Sequence, residues 1–121
     1  MRYASIASLA AALSMAAGQA FAHAELETSS PQRNAVLKTP PVEVAIDFSE
    51  EVNPKLSLIL VKDAAGKRVD KDDGHVAADN AKHFSVDLKP LAAGTYDVHW
   101  VSVAVEDGHK LMGAFKFTVA P

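Results

Sequence analysis

The chain has 121 residues, 12 Lys and Arg against 15 Asp and Glu, a formal net charge of −3 and no cysteine. That length holds one domain, and the acidic balance argues against non-specific nucleic-acid binding, which needs a basic surface. Without cysteine there can be no disulfide, thiolate zinc site, iron–sulfur ligation or Cys nucleophile, and 49% hydrophobic with 22% charged residues describes a globular domain.

Residues 1–22 read as a secretory signal peptide. Arg2 supplies a short positive n-region, Ala4 to Ala17 form an apolar run, and Ala20-Phe21-Ala22 places small residues at the positions a signal peptidase reads. An uncleaved anchor is the competing reading, but the run is shorter than the roughly 20 apolar residues of a membrane span. Cleavage after Ala22 makes His23 the first residue of a mature domain, residues 23–121.

That domain reads as a succession of strands. Val42, Val44, Ile46 and Phe48 alternate with Glu43, Ala45 and Asp47, the period-two pattern of a half-buried strand, after a Pro40-Pro41 loop. Leu56 to Val61 is apolar on both faces and reads as a central strand or a short buried helix, its β-branched residues and the following Asp63-Ala64-Ala65-Gly66 turn favouring the strand. Phe84, Val86 and Leu88 mark another strand, Thr95 to Val105 a long one, and Phe115, Phe117 and Val119 the last. Six or seven short strands with no helical period and no internal repeat indicate an all-β sandwich. Gly94-Thr95-Tyr96 ahead of the long strand resembles the tyrosine corner of an immunoglobulin-like fold, although a Tyr can also simply start a strand. Phe48, Trp100 and Phe115 are expected in the core.

Two places carry chemistry. A free α-amine at His23 and the Nδ1 of its own imidazole close a six-membered chelate around a metal ion. In Asp107-Gly108-His109, residues i and i+2 point to one side, and Gly108 lets the backbone turn between them. Together these offer three nitrogens and one oxygen, a set that suits Cu(II), with zinc the main competitor. Each piece alone is weak, since a D-x-H is more often solvated than metal-bound; the pairing is what is informative.

These residues resemble the CopC-type periplasmic copper-binding proteins, the CopC/YobA family. The resemblance runs through His23-Ala24-Glu25-Leu26, Ser30-Pro31, Ile46-Asp47-Phe48-Ser49-Glu50 and Leu91-x-x-Gly94-Thr95-Tyr96-x-Val98-x-Trp100. It ends with Asp107-Gly108-His109-x-x-x-Gly113-x-Phe115-x-Phe117-x-Val119. It implies a single immunoglobulin-like, Greek-key β-sandwich that binds one Cu(II) through His23, Asp107 and His109. It further implies a periplasmic, monomeric copper carrier or buffer in copper homeostasis and resistance, with a CopD-like inner-membrane partner.

Three departures from the family pattern stand out. Trp100 lies seven positions before Asp107, an odd spacing that a β-bulge within Val101 to Glu106 would correct. The stretch from Lys62 to Lys82 has no Met and Met112 is the only one after residue 22, so the soft-ligand Cu(I) site of some members is not expected. The third mature residue is Glu25 and not His, which excludes an amino-terminal X-X-His motif. Of the other histidines, the Asp73-Gly74-His75 segment reads as a solvated loop, with a weak second metal site as the alternative. His83 and His99 read as surface residues. Glu25, Glu27 and Glu106 read as surface charge, or else as acceptors for ligand imidazoles. The favoured function is thus a binding protein and not an enzyme. A histidine-brace copper oxygenase and a metal-free sandwich scaffold are the other two classes, and no nucleophile-elbow pattern supports a hydrolase.

Overall fold

The computed structural model describes residues 23–121; the expected signal peptide, 1–22, lies outside the described residues. Eight strands follow in chain order: β1 (Leu26–Ser30), β2 (Val36–Leu37), β3 (Glu43–Phe48), β4 (Leu58–Lys62), β5 (His75–Ala77), β6 (Asn80–Asp87), β7 (Gly94–Val103) and β8 (Lys110–Val119). They form two four-stranded sheets, β1-β3-β6-β5 and β2-β8-β7-β4. All pairs are antiparallel except β2 with β8. No helix occurs among the described residues. The strand order is that of a constant-type immunoglobulin sandwich with one extra edge strand, β2.

The core lies between the sheets and is built from the alternation visible in the sequence. Val44, Ile46 and Phe48 of β3 and Phe84 and Val86 of β6 face Ile59 and Val61 of β4, Tyr96, Val98 and Trp100 of β7, and Phe115, Phe117 and Val119 of β8. Phe48 meets Trp100 edge-on at 5.4 Å, and Tyr96 stacks on Phe117 at 5.3 Å. Trp100 lies so close to β8 that a Cβ on its cross-strand partner Gly113 would fall 2.6 Å from the indole. The Tyr96 hydroxyl donates to the carbonyl of Ala92 at 2.6 Å, the backbone contact of a tyrosine corner.

Several expectations are corrected. Leu58–Lys62 is not central: β4 pairs only with β7 and forms the edge of its sheet, Leu56 lies before it and is exposed, and Leu58 is partly exposed. A strap formed by residues 68–70 covers its free edge. There Val69 donates to the Val61 carbonyl at 2.8 Å, and the Val61 amide donates to Asp70 Oδ2 at 2.8 Å. Asp70 is buried and held by Arg68. Val42 is exposed, because β3 starts at Glu43. Asp73-Gly74-His75 keeps the expected loop character, with Asp73 and Gly74 outside any strand and Gly74 and His75 exposed, while Asp73 Oδ1 accepts the Asp87 amide at 2.8 Å and His75 opens β5. His83 is half-buried, with Nδ1 2.7 Å from Asp47 Oδ1, whereas His99 is exposed on β7 as expected.

No bulge separates Trp100 from Asp107. The β7–β8 register runs without a shift from Gly94↔Val119 to Val103↔Lys110. The odd residue is absorbed by the turn that follows, where Gly108 donates to the Ala104 carbonyl at 2.9 Å and Ala104 donates to that of His109 at 3.0 Å. Gly108 has φ of 71°, the left-handed region in which a side chain is disfavoured.

Candidate metal centre

His23 precedes the first strand, yet its backbone is held. The Ser49 hydroxyl, just past the end of β3, donates to the His23 carbonyl at 2.8 Å and accepts the Glu25 amide at 2.9 Å. The Ser49 amide donates to the Glu25 carbonyl at 2.8 Å. Between them Ala24 is fully buried, and its carbonyl accepts from the Ser102 hydroxyl of β7 at 2.6 Å. Buried polar groups require such partners. The arm therefore enters the sandwich at one end, wedged between the two sheets.

Asp107 and His109 sit in the β7–β8 hairpin loop at that same end. Asp107 Oδ1 accepts the His109 amide at 3.0 Å, while Oδ2 lies 2.9 Å from His109 Nδ1. The loop is anchored to the β3–β4 connection: Val105 donates to the Glu51 carbonyl at 2.9 Å, Asn53 to the Val103 carbonyl at 2.8 Å, and Val52 bridges Ala104.

These two pieces converge. The imidazoles of His23 and His109 meet edge-on, with ring centroids 4.8 Å apart and planes inclined at 68°. The Asp107 carboxyl is held below the ordinary carboxylate range. The His109 amide that donates to it is the main cause, and the charges of His109 and His23 add to the effect. All three expected ligands thus occupy one surface cluster. Among the described residues, no three His, Asp or Glu side chains already surround a common point, because Asp107 is turned onto the amide and Nδ1 of His109. Two imidazoles and a carboxylate, with an α-amine added once His23 is terminal, form a nitrogen-rich donor set of the kind that fits Cu(II).

Glu25, Glu27 and Glu106 are exposed, as is Met112. His75 and His83 belong to the β1-β3-β6-β5 sheet and pair with Asp73, Ser85 and Asp47 instead of joining the cluster. Sequence reasoning missed Ser49 and Ser102. Ser102 carried a signal, since it shares the inward parity of Tyr96, Val98 and Trp100, where a polar side chain demands a partner.

The CopC domain family model matches residues 26–120, a span that begins just past His23 and includes Asp107 and His109. The chain is 34% identical over 114 residues to copper resistance protein C of Xanthomonas campestris pv. juglandis, covering 89% of this chain and 88% of that one. It is 37% identical over 100 residues to the copper transport protein CutJ of Bacillus subtilis, covering 82% of this chain but 18% of that one. Among solved structures, CopC from Methylosinus trichosporium OB3b aligns with a TM-score of 0.76 at 31% identity, covering 82% of this chain and 95% of that chain. PcoC, a methionine rich copper resistance protein from Escherichia coli, aligns at 0.70 and 30% identity, covering 81% and 99%. With its sandwich, its amino-terminal arm and its late Asp-Gly-His hairpin, the chain belongs to the CopC domain family.

Proposed function

We propose that this protein handles copper in copper resistance and homeostasis, as a carrier or buffer that binds one Cu(II). The ligands are the α-amine and imidazole of His23, the imidazole of His109 and the carboxylate of Asp107. The observation that carries the reading is the approach of the His23 and His109 rings to 4.8 Å with Asp107 on His109. The names of the relatives, copper resistance and copper transport proteins, support it. The amine becomes a donor only when residues 1–22 are removed, which the signal-like sequence supports, and the periplasm is the compartment proposed for the exported protein. Residues 23–121 contain both sheets and the whole core described above.

Cu(II), and not Cu(I), follows from donor chemistry. PcoC is described as methionine rich, whereas this chain has three Met in all, two of them within residues 1–22. Soft Cu(I) needs sulfur ligands. A CopD-like membrane protein is the proposed exchange partner. In CutJ the matched portion is 18% of a longer copper transport protein, so there a domain like this one is joined to a much larger remainder.

The test is Cu(II) titration, with intact mass, of protein beginning at His23 against protein carrying one extra residue before it. The first is expected to take up one Cu(II) tightly. The second is expected to stay folded and lose tight binding, because its amine has become an amide. Equal affinity in both would remove the amine from the site.

A further inference from the structure

A chelate built on a chain terminus has a weakness: nothing in the chelate itself keeps the terminus facing the other ligands. His23, Ala24 and Glu25 belong to no strand, since pairing of β1 with β3 begins at Leu26↔Phe48. What holds them is a group of hydrogen bonds centred on one side chain. Ser49 Oγ donates to the His23 carbonyl at 2.8 Å and accepts from the Glu25 amide at 2.9 Å. The Glu25 amide also reaches the His23 carbonyl at 3.0 Å, closing a tight turn at Ala24. Ser49 opens the β3–β4 connection, and that same connection holds the hairpin of Asp107 and His109 through the Glu51 carbonyl and Val52. Val52 is itself fully buried and donates to the Ala81 carbonyl at 3.0 Å. The two halves of the site, far apart in sequence, are thus bracketed by one short segment.

We propose that Ser49 is a positioning residue of the copper site, its hydroxyl clamping the His23–Glu25 arm to the segment that carries the Asp107–His109 hairpin. The inference rests on the site reading above and extends it to a residue that contributes no donor atom to the metal. Its physical content is preorganisation: without the hydroxyl, the His23 backbone must be ordered at the moment copper binds, and ordering one residue's backbone corresponds to about tenfold in affinity. Ser102, whose hydroxyl is buried on the Ala24 carbonyl, supports the same arm from the other sheet.

The experiment compares protein beginning at His23 with its Ser49→Ala, Ser49→Thr, Ser102→Ala and His109→Ala variants, using Cu(II) alone as probe. The readouts are affinity against a competing chelator, the electron paramagnetic resonance pattern of the bound ion and the thermal midpoint without copper. Ser49→Ala is expected to keep one Cu(II) per chain, to bind it about tenfold more weakly and to show an altered or heterogeneous spectrum. Ser49→Thr, which keeps a hydroxyl, is expected to restore both. Ser102→Ala, measured below its own unfolding midpoint, is expected to move affinity in the same direction. A merely structural serine would lower the thermal midpoint and leave affinity and spectrum unchanged; that result in Ser49→Ala would overturn the proposal. If His109→Ala binds as well as the unaltered protein, the site reading itself fails, and the clamp with it.

Discussion

At the scale of single residues, Asp107 and His109 are unequal members of the proposed site. Imidazole is the better donor for Cu(II), and in the absence of metal the carboxylate of Asp107 rests on His109 Nδ1 at 2.9 Å. Asp107→Asn, which removes the anionic oxygen donor, is therefore expected to weaken Cu(II) binding, and His109→Ala to weaken it further. Competition titration of the two variants checks the order; equal losses would make Asp107 as strong a ligand as the imidazole. Both variants are expected to stay folded, because both side chains are on an exposed loop and leave no cavity in the core.

Elements, in contrast, are secured by contacts away from the site. Removing the Tyr96 hydroxyl in Tyr96→Phe deletes the bond to the Ala92 carbonyl but keeps the stack on Phe117. A loss of about 1 kcal/mol in denaturant unfolding is expected, the usual net worth of one hydrogen bond, with copper affinity unaffected. The edge of β4 is set by Asp70. Burial alone would raise the Asp70 pKa, but the Arg68 guanidinium and the amides of Val61 and Asp72 outweigh it and hold the carboxyl below its ordinary value. A depressed folded-state pKa stabilises above the unfolded value, about 3.9, and that stabilisation is lost as pH falls through the folded value. The stability gap between the native chain and Asp70→Asn is therefore expected to be full at neutral pH and to close only below about pH 4. A gap independent of pH in acid would mean that the carboxylate charge does not contribute.

For the whole molecule, copper and protons compete for the same lone pairs. Only the deprotonated α-amine and the neutral imidazoles of the proposed site can bind metal. Cu(II) is expected to raise the thermal midpoint of the domain near neutrality, since a ligand of the native state stabilises by RT ln(1 + [L]/Kd). The effect is expected to shrink as pH falls from neutrality toward about pH 4, because protons compete with copper for these nitrogens. Thermal unfolding with and without Cu(II) across that range measures it. Copper stabilisation that persisted undiminished into acid would point to oxygen ligands in place of His23 and His109.

The physical signals in the chain were of two kinds. Period-two alternation in Val44–Phe48, Phe84–Leu88, Tyr96–Trp100 and Phe115–Val119 is a local property, because successive side chains on a strand must face opposite ways. It sufficed for the sandwich and for most of its core, and the Asp-Gly-His and His23 motifs supplied the residues of the proposed site. Where a strand lies within a sheet is not local. Leu58–Lys62 looked central and is an edge, since the strap of Val69 and Asp70 that covers it is formed by a later segment. The odd spacing from Trp100 to Asp107 could be accommodated by a bulge or by a turn, and only the unbroken pairing of β7 with β8 selected the turn. The clamp on His23 is tertiary for the same reason: Ser49 and Ser102 meet the arm only after two sheets have closed on each other, and no periodicity within a segment encodes a contact between segments.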